Sequence, residues 1–251
     1  MIDYKSPDEI AKMRRAGAIV ADTIAATRDA VRSGRTTQDL DEVAEKVIRD
    51  AGATPSFLGY RGFTKSICTS LNNEIVHGIP SPKRTLKQGD LLSLDFGAIW
   101  EGFQGDAAIS VFVGKAPTSE AERLVRVTEE ALEAGIAQIR LGGRISDIGH
   151  AVQQVAEGAG FSVVREYVGH GIGRHMHEDP QVPNYGEPGR GPELKPGLVI
   201  AVEPMVNAGG FETMQMPDGW TVVTADGSLS AHFEHTIAVT DAGAEVLTAL
   251  H

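Results

Sequence analysis

Two aspartates, Asp95 and Asp106, lie in the run LLSLDFGAIWEGFQGDAAISVFVG at 91–114, whose apolar neighbours belong in a protein interior. An ionised carboxylate taken out of water without a partner costs several kcal/mol or more, so the rest of the chain must compensate each one. Glu203 in LVIAVEPM and Glu234 in SAHFEHTIAV share that apolar setting. Four carboxylates drawn together repel one another unless cations lie between them, and two divalent ions would offset the four charges. A neutral imidazole would complete such a set. The best placed is His170 in YVGHGIGRHMHEDP, where flanking glycines let the backbone approach a ligand. Carboxylate-rich coordination with a single histidine favours a pair of Mn, Fe, Co or Zn ions over a lone structural zinc, which prefers Cys and several His.

Each residue also has a plainer explanation. Asp106 beside a glycine could be a turn residue, Asp95 could pair with an arginine, and Glu203 before Pro204 could face solvent. His150 and His235 read as structural and His175 as a surface residue. Taken together, four acids and a histidine would need five separate explanations, whereas a metal centre needs one. The sequence has no HExxH, paired CxxC, GxSxG or Walker phosphate loop, so no motif supports those other chemistries.

The elements that must position these residues follow from a repeat. LKQGDLLSLDFGA from position 86 and LKPGLVIAVEPMV from position 194 align at an offset of 108, as do Gly34 with Gly142, Asp39 with Asp147, and Ala51-Gly52 with Ala159-Gly160. Two copies point to pseudo-twofold halves, about 6–113 and 118–240, within a single domain spanning 1–251. In the first half, Ser6-Pro7-Asp8-Glu9 predicts a capped helix start, with Ile10, Met13, Gly17, Val20, Ile24 and Val31 along one face and a stop at Gly34. A second helix spans about 37–51, with Leu40, Val43 and Val47 inward. In the second half, Ser119 and Glu122 suggest a capping box, with Leu124, Val127, Ala131 and Ile139 inward, and another helix runs from about Ser146 to Ala159. The runs SLDFGAI, ISVFV, LVIAVEP and HTIAVT read as strands. The expectation is an α+β fold, helices covering one face of a curved, mostly antiparallel sheet, with Asp95 and Glu203 at equivalent points of facing strands.

Composition narrows the function. With 23 basic and 34 acidic residues the formal charge is −11, the wrong sign for nucleic acid, so DNA is not an expected partner. No stretch reads as a secretion signal or membrane span, and a single cysteine, Cys68, forms no intrachain disulfide. A cytoplasmic location is expected.

The set Asp95, Asp106, His170, Glu203 and Glu234, with HGIP at 77–80, GHGIGRHMHEDP at 169–180 and FEHT at 233–236, resembles the type I methionine aminopeptidases of the pita-bread metallopeptidase family. The likeness covers nearly the whole chain and looks like the minimal bacterial form, with no added N-terminal zinc-binding segment. It implies the pita-bread fold and hydrolytic removal of the initiator methionine from nascent polypeptides with a small second residue. It also implies two divalent ions: Asp95 on one, Asp106 and Glu234 bridging both, His170 and Glu203 on the other, with Glu203 relaying protons. His77 and His177 would contact the scissile amide nitrogen and carbonyl. Tyr60, Phe63, Cys68 and Trp220 would line the methionine pocket, with Met176 and Met205 as further lining. The family precedent is a monomer, and transient contact with the ribosome is open. Three positions depart from the family pattern: Gln104 for a His, Ala107 for a hydroxyl residue and His232 for a Gln. Two other assignments compete: an Xaa-Pro aminopeptidase, whose relatives usually carry an additional N-terminal domain, and a non-catalytic binding module, which intact ligands disfavour.

Overall fold

The structure, a computed structural model, describes residues 1–249; the last two positions of the expected 1–251 domain lie outside the described residues. The chain opens with α1 (Pro7–Ala30) and α2 (Thr37–Asp50), then β1 (Thr54–Pro55), β2 (Ile67–Leu71), β3 (Glu74–Val76), β4 (Leu91–Trp100) and β5 (Phe103–Phe112). After α3 (Ser119–Ile136) and α4 (Ile145–Gly158) come β6 (Ser162–Val163), β7 (Gly169–Gly171), β8 (Glu178–Val182), β9 (Val199–Val202) and β10 (Met205–Asn207). The chain then runs through β11 (Thr213–Gln215), β12 (Val222–Thr224), β13 (Ser230–His232), β14 (Glu234–Thr240) and β15 (Gly243–Val246).

Capping sets the helix starts. Ser6 Oγ accepts from Glu9 N at 3.3 Å while Glu9 Oε2 accepts from Ser6 N at 2.9 Å, and Pro7 takes the first helical position. Thr36 and Asp39 close the same box on α2, and Asp147 reaches back to Arg144 N at 2.8 Å on α4. The cap of α3 is Thr118 rather than Ser119, its hydroxyl accepting from Ala121 N at 3.1 Å. That one-residue shift leaves Glu122 a position too late to complete a box. On α2 the buried stripe is Leu40, Ala44 and Ile48, an i, i+4 ladder, whereas Val43 and Val47 are only half-buried on its flank.

The nine-stranded sheet runs β1-β4-β5-β14-β9-β7-β8, with β2 on β4 and β15 on β14, every pairing antiparallel. In β4, Leu92, Leu94, Phe96 and Ala98 alternate toward the α1–α2 core, so Ser93, Asp95 and Gly97 point to the opposite face. A second core joins Ile145 and Ile148 of α4 to Ile200 and Val202 of β9 and Ile237 of β14. Helices therefore cover one face of the sheet and leave the other to the acids. Asp95 and Glu203 do not stand on facing strands: β5 and β14 lie between β4 and β9 in the same sheet, and Glu203 follows the last residue of β9.

One close approach of helix to sheet depends on glycine. A Cβ on Gly105, next to Asp106, would fall 2.8 Å from Gly17 N, and one on Gly17 would fall 2.1 Å from Leu247 O. Without a side chain at Gly105, α1 can lie this close to β5, and without one at Gly17 it can pack on the Leu247 backbone.

Local geometry recurs at the 108-residue offset. Gly34 N donates to Leu86 O and Leu86 N to Arg35 O; Gly142 N donates to Leu194 O and Leu194 N to Gly143 O. The isolated bridges Thr36–Thr85 and Arg144–Glu193 match likewise.

Candidate metal centre

Strand register brings the five predicted ligands to one face. Asp95 on β4 and Glu234 on β14 both pair with Ala108 of β5, and Asp106 lies two residues from Ala108, hence on the same side. On β9, Ala201 pairs with both Thr236 of β14 and His170 of β7, and Glu203 lies two residues beyond Ala201. Ala108 and Ala201 are small, which leaves space over the middle of that face.

The donor atoms converge. Asp106, His170 and Glu234 each offer one ligand atom within 4.8 Å of the other two. His170 Nε2 lies 3.5 Å from Glu203 Oε1 and 3.9 Å from Asp106 Oδ2. Donors each bound at about 2.1 Å to a shared ion stand roughly 3–4 Å apart. Asp95 Oδ1, Asp106 Oδ1 and Glu234 Oε1 are buried with no hydrogen-bond partner, so the donor set fits a cation.

Electrostatics point the same way. Burial first, then the neighbouring carboxylates, push Asp106, Glu203 and Glu234 well above the usual carboxylate range, and burial lifts Asp95 to about 7. Burial, with His177 nearby, lowers His170 to about 4. Its Nδ1 lies 2.9 Å from Gly171 O, and because a carbonyl only accepts, Nδ1 carries the proton and Nε2 presents its lone pair to the acids.

Beside the acids lies a cavity of about 190 Å³. Its lining contains every predicted site residue: the five ligands, His77, His177, Tyr60, Phe63, Cys68 and Trp220, together with Met176. Phe63 meets Trp220 edge-on with ring centroids 5.0 Å apart, and His77 stands edge-on to Trp220 and Tyr167 at 6.4 and 6.0 Å. His77 is held at a left-handed φ of 62°, and burial lowers its pKa to about 4. His177, exposed at the mouth, stacks on Tyr60 and has its Nδ1 2.8 Å from the Tyr60 hydroxyl. Burial and the Asp95 and Asp106 carboxylates push the Cys68 thiol well up, so it is neutral and no nucleophile.

Other expectations fall differently. Met205 does not line the cavity; it packs with Ile75, Val76, Val164 and Val222 in a separate core. Asp106 is no turn residue, being buried within β5, and Glu203 turns into the cavity rather than to solvent. His150 bonds Gly186 O and His235 bonds Thr248, while His175 is exposed, as expected of structural and surface residues. Phe57 and Arg61 line the cavity and Tyr167 abuts His77, yet none stood out in the sequence. Phe57 and Arg61 flank Tyr60, and that proximity was their only signal.

The three departures also have places. Gln104 accepts from the Ser56 hydroxyl at 2.7 Å, tying β5 to the loop ahead of Tyr60. Ala107 points into the α1–α2 core, away from the acids. His232 is buried on β13, its Nε2 without a partner.

The model of Metallopeptidase family M24 matches residues 11–241. A methionine aminopeptidase of Clostridium acetobutylicum is 51% identical over 248 residues, 99% of each chain. The crystal structure of methionine aminopeptidase from Thermotoga maritima superposes with a TM-score of 0.97 at 45% identity, covering 99% of both chains. A prolidase from Pyrococcus furiosus superposes with a TM-score of 0.78 at 21% identity over 99% of this chain and 66% of that one, a likeness of fold alone.

Proposed function

Since the chain belongs to metallopeptidase family M24, we propose that the one-faced acid cluster and its cavity form a metallo-exopeptidase site that removes N-terminal methionine. Its fold is the pita-bread fold of that family, a curled antiparallel sheet with helices. Metallopeptidase hydrolysis of an N-terminal methionine is the activity. Two divalent ions, a small second residue and the individual residue roles belong to the proposal. So do the halves 6–113 and 118–240, supported by the hydrogen bonds that recur at the 108-residue offset.

Asp95, Asp106, His170, Glu203 and Glu234 would hold the ions, which supply Lewis acidity toward water and the scissile carbonyl. Glu203, whose Oε1 lies 3.5 Å from His170 Nε2, would accept the proton of the attacking water and pass it to the leaving amine. With the Tyr60 hydroxyl as donor to His177 Nδ1, 2.8 Å away, His177 Nε2–H would be free to donate to the carbonyl oxygen as charge develops there. His77 addresses the amide nitrogen. Phe63, Cys68, Met176 and Trp220 give the methionine side chain a soft, apolar wall.

On this account the substrates are N-termini of newly made polypeptides, met in the cytoplasm by a monomer. Among the described residues no helix is long and apolar enough to cross a membrane. The net charge of −11 favours at most a transient ribosome contact.

One observation carries the function: two buried carboxylates, Asp106 and Glu234, two half-buried ones, Asp95 and Glu203, and a neutral imidazole share one face beside a largely apolar cavity. The test is methionine release from Met-Ala-Ser and Met-Leu-Ser by chelator-stripped protein with Mn(II) or Co(II) titrated back. Metal-dependent release, faster from Met-Ala-Ser, is expected. Folded protein that releases methionine from neither peptide with any divalent ion would rule the assignment out.

A further inference from the structure

Arg61 is the one cation lining the cavity among the described residues. It sits in the turn Gly59-Tyr60-Arg61-Gly62, where Gly59, Arg61 and Gly62 have φ of 87°, 48° and 92°. Left-handed backbone is costly for an arginine, and here three bonds impose it: Gly59 N to Phe63 O, Gly62 N to Gly59 O and Phe63 N to Tyr60 O, at 2.8, 3.2 and 2.9 Å. The guanidinium stands 5.3 Å from the Tyr60 ring centroid, and Tyr60 in turn holds His177. Lys65 and Arg84 nearby are already matched, with Asp41 at 3.9 Å and Glu74 at 2.7 Å. Arg61 is exposed at the mouth and has no carboxylate at ion-pair distance among the described residues.

A peptide whose first side chain lies against Phe63 and Trp220, and whose first carbonyl lies by His177, has its next residues brought toward Tyr60, which stacks on His177, and Arg61 over it. Once cations offset the four acids, Arg61 is the full charge left in the cavity lining. We propose that Arg61 is a specificity-determining residue that reads charge just downstream of the cleaved bond, favouring substrates with an acidic third residue and disfavouring lysine there. This inference rests on the methionine-removal activity above.

A solvent-exposed guanidinium–carboxylate pair is a weak interaction, so the preference should be about twofold to fivefold and should shrink as salt rises. Because the contact forms on binding and persists through the reaction, it appears in KM rather than kcat. The probes are Met-Ala-Glu-Ser, Met-Ala-Gln-Ser and Met-Ala-Lys-Ser, each with an amidated C-terminus so that only the third side chain changes charge. The metal-loaded protein should rank them Glu, Gln, Lys in kcat/KM. Arg61→Gln should bring the three together, and Arg61→Lys, which keeps the charge, should restore the order. No ranking, or one that survives Arg61→Gln, would overturn the proposal. A charge effect seen only when Met-Ala-Ser carries a free rather than amidated C-terminus would overturn it too, assigning Arg61 to the chain-end carboxylate. Release from no peptide, the Gln peptide included, would instead overturn the methionine-removal activity on which the proposal rests.

Discussion

His170 can serve as a ligand because its surroundings fix its proton: the Gly171 carbonyl takes Nδ1–H and burial keeps the ring neutral above about pH 4. Between pH 5.5 and 7.5 the pH dependence of metal binding therefore comes from the acids. Their carboxyls are lifted, Asp95 to about 7, so a bound ion must displace protons at the lower end of that range. The rise in Tm on adding Mn(II) should grow from pH 5.5 to 7.5 by thermal melts; a rise independent of pH would contradict this account. Asp106→Ala should lose bound metal and more than about a hundredfold in activity, whereas His77→Ala should keep its metal by elemental analysis and lose about a hundredfold in kcat. Equal metal loss in both would contradict the assigned roles. His232 acts on the fold itself, with or without metal. Its pKa falls to about 3 by burial, so the unfolded chain binds a proton there below pH 6.5 that the folded chain refuses. Stability is lost as pH drops from about 6.5 toward 3, and His232→Gln should unfold less readily at pH 5 in urea titrations.

Among the elements, α1 and β5 matter most to the site because Gly105 lets β5 touch the α1 backbone at Ala16 and Gly17, beside Asp106. Gly105→Ala should cost about 1–3 kcal/mol in a urea melt and weaken metal binding through the displaced strand. A neutral substitution would mean that β5 has room to spare. The same scale shows what the sequence could reveal. Alternation in LLSLDFGA marks Asp95 as facing away from Leu92, Leu94 and Phe96, and the glycine-flanked His170 was legible from its neighbours alone. The start of α1 was legible by its cap, α2 and α4 were legible by apolar spacing, and at α3 Thr118 and Ser119 competed and the hydrogen bond chose Thr118. Which strands lie between β4 and β9 was not legible, because pairing partners distant in sequence leave no local signal. Met205 shows the limit as well: an apolar residue two positions from Glu203 can face the cavity or the core, and only the register with His232 decides.

At the scale of the molecule, the 108-residue repeat explains why ligands spread from Asp95 to Glu234 meet at all. On the proposed division, each half delivers a helix pair and then a strand that carries or leads into an acid, and β5 pairing with β14 joins the two contributions into one sheet. Closing such long-range contacts leaves four acids on one face, an arrangement that ions stabilise by binding the folded state and not the unfolded chain. Chelator-stripped protein should therefore melt several degrees below the metal-loaded form near neutral pH. The most direct test of the central claim is calorimetric titration of Mn(II) into chelator-stripped wild-type protein and into Asp106→Asn, a near-isosteric change. Saturable binding by the wild type at up to two ions per chain, abolished in Asp106→Asn while its fold persists by circular dichroism, is the predicted result. Equal binding by both would show that the buried acids are not the metal site.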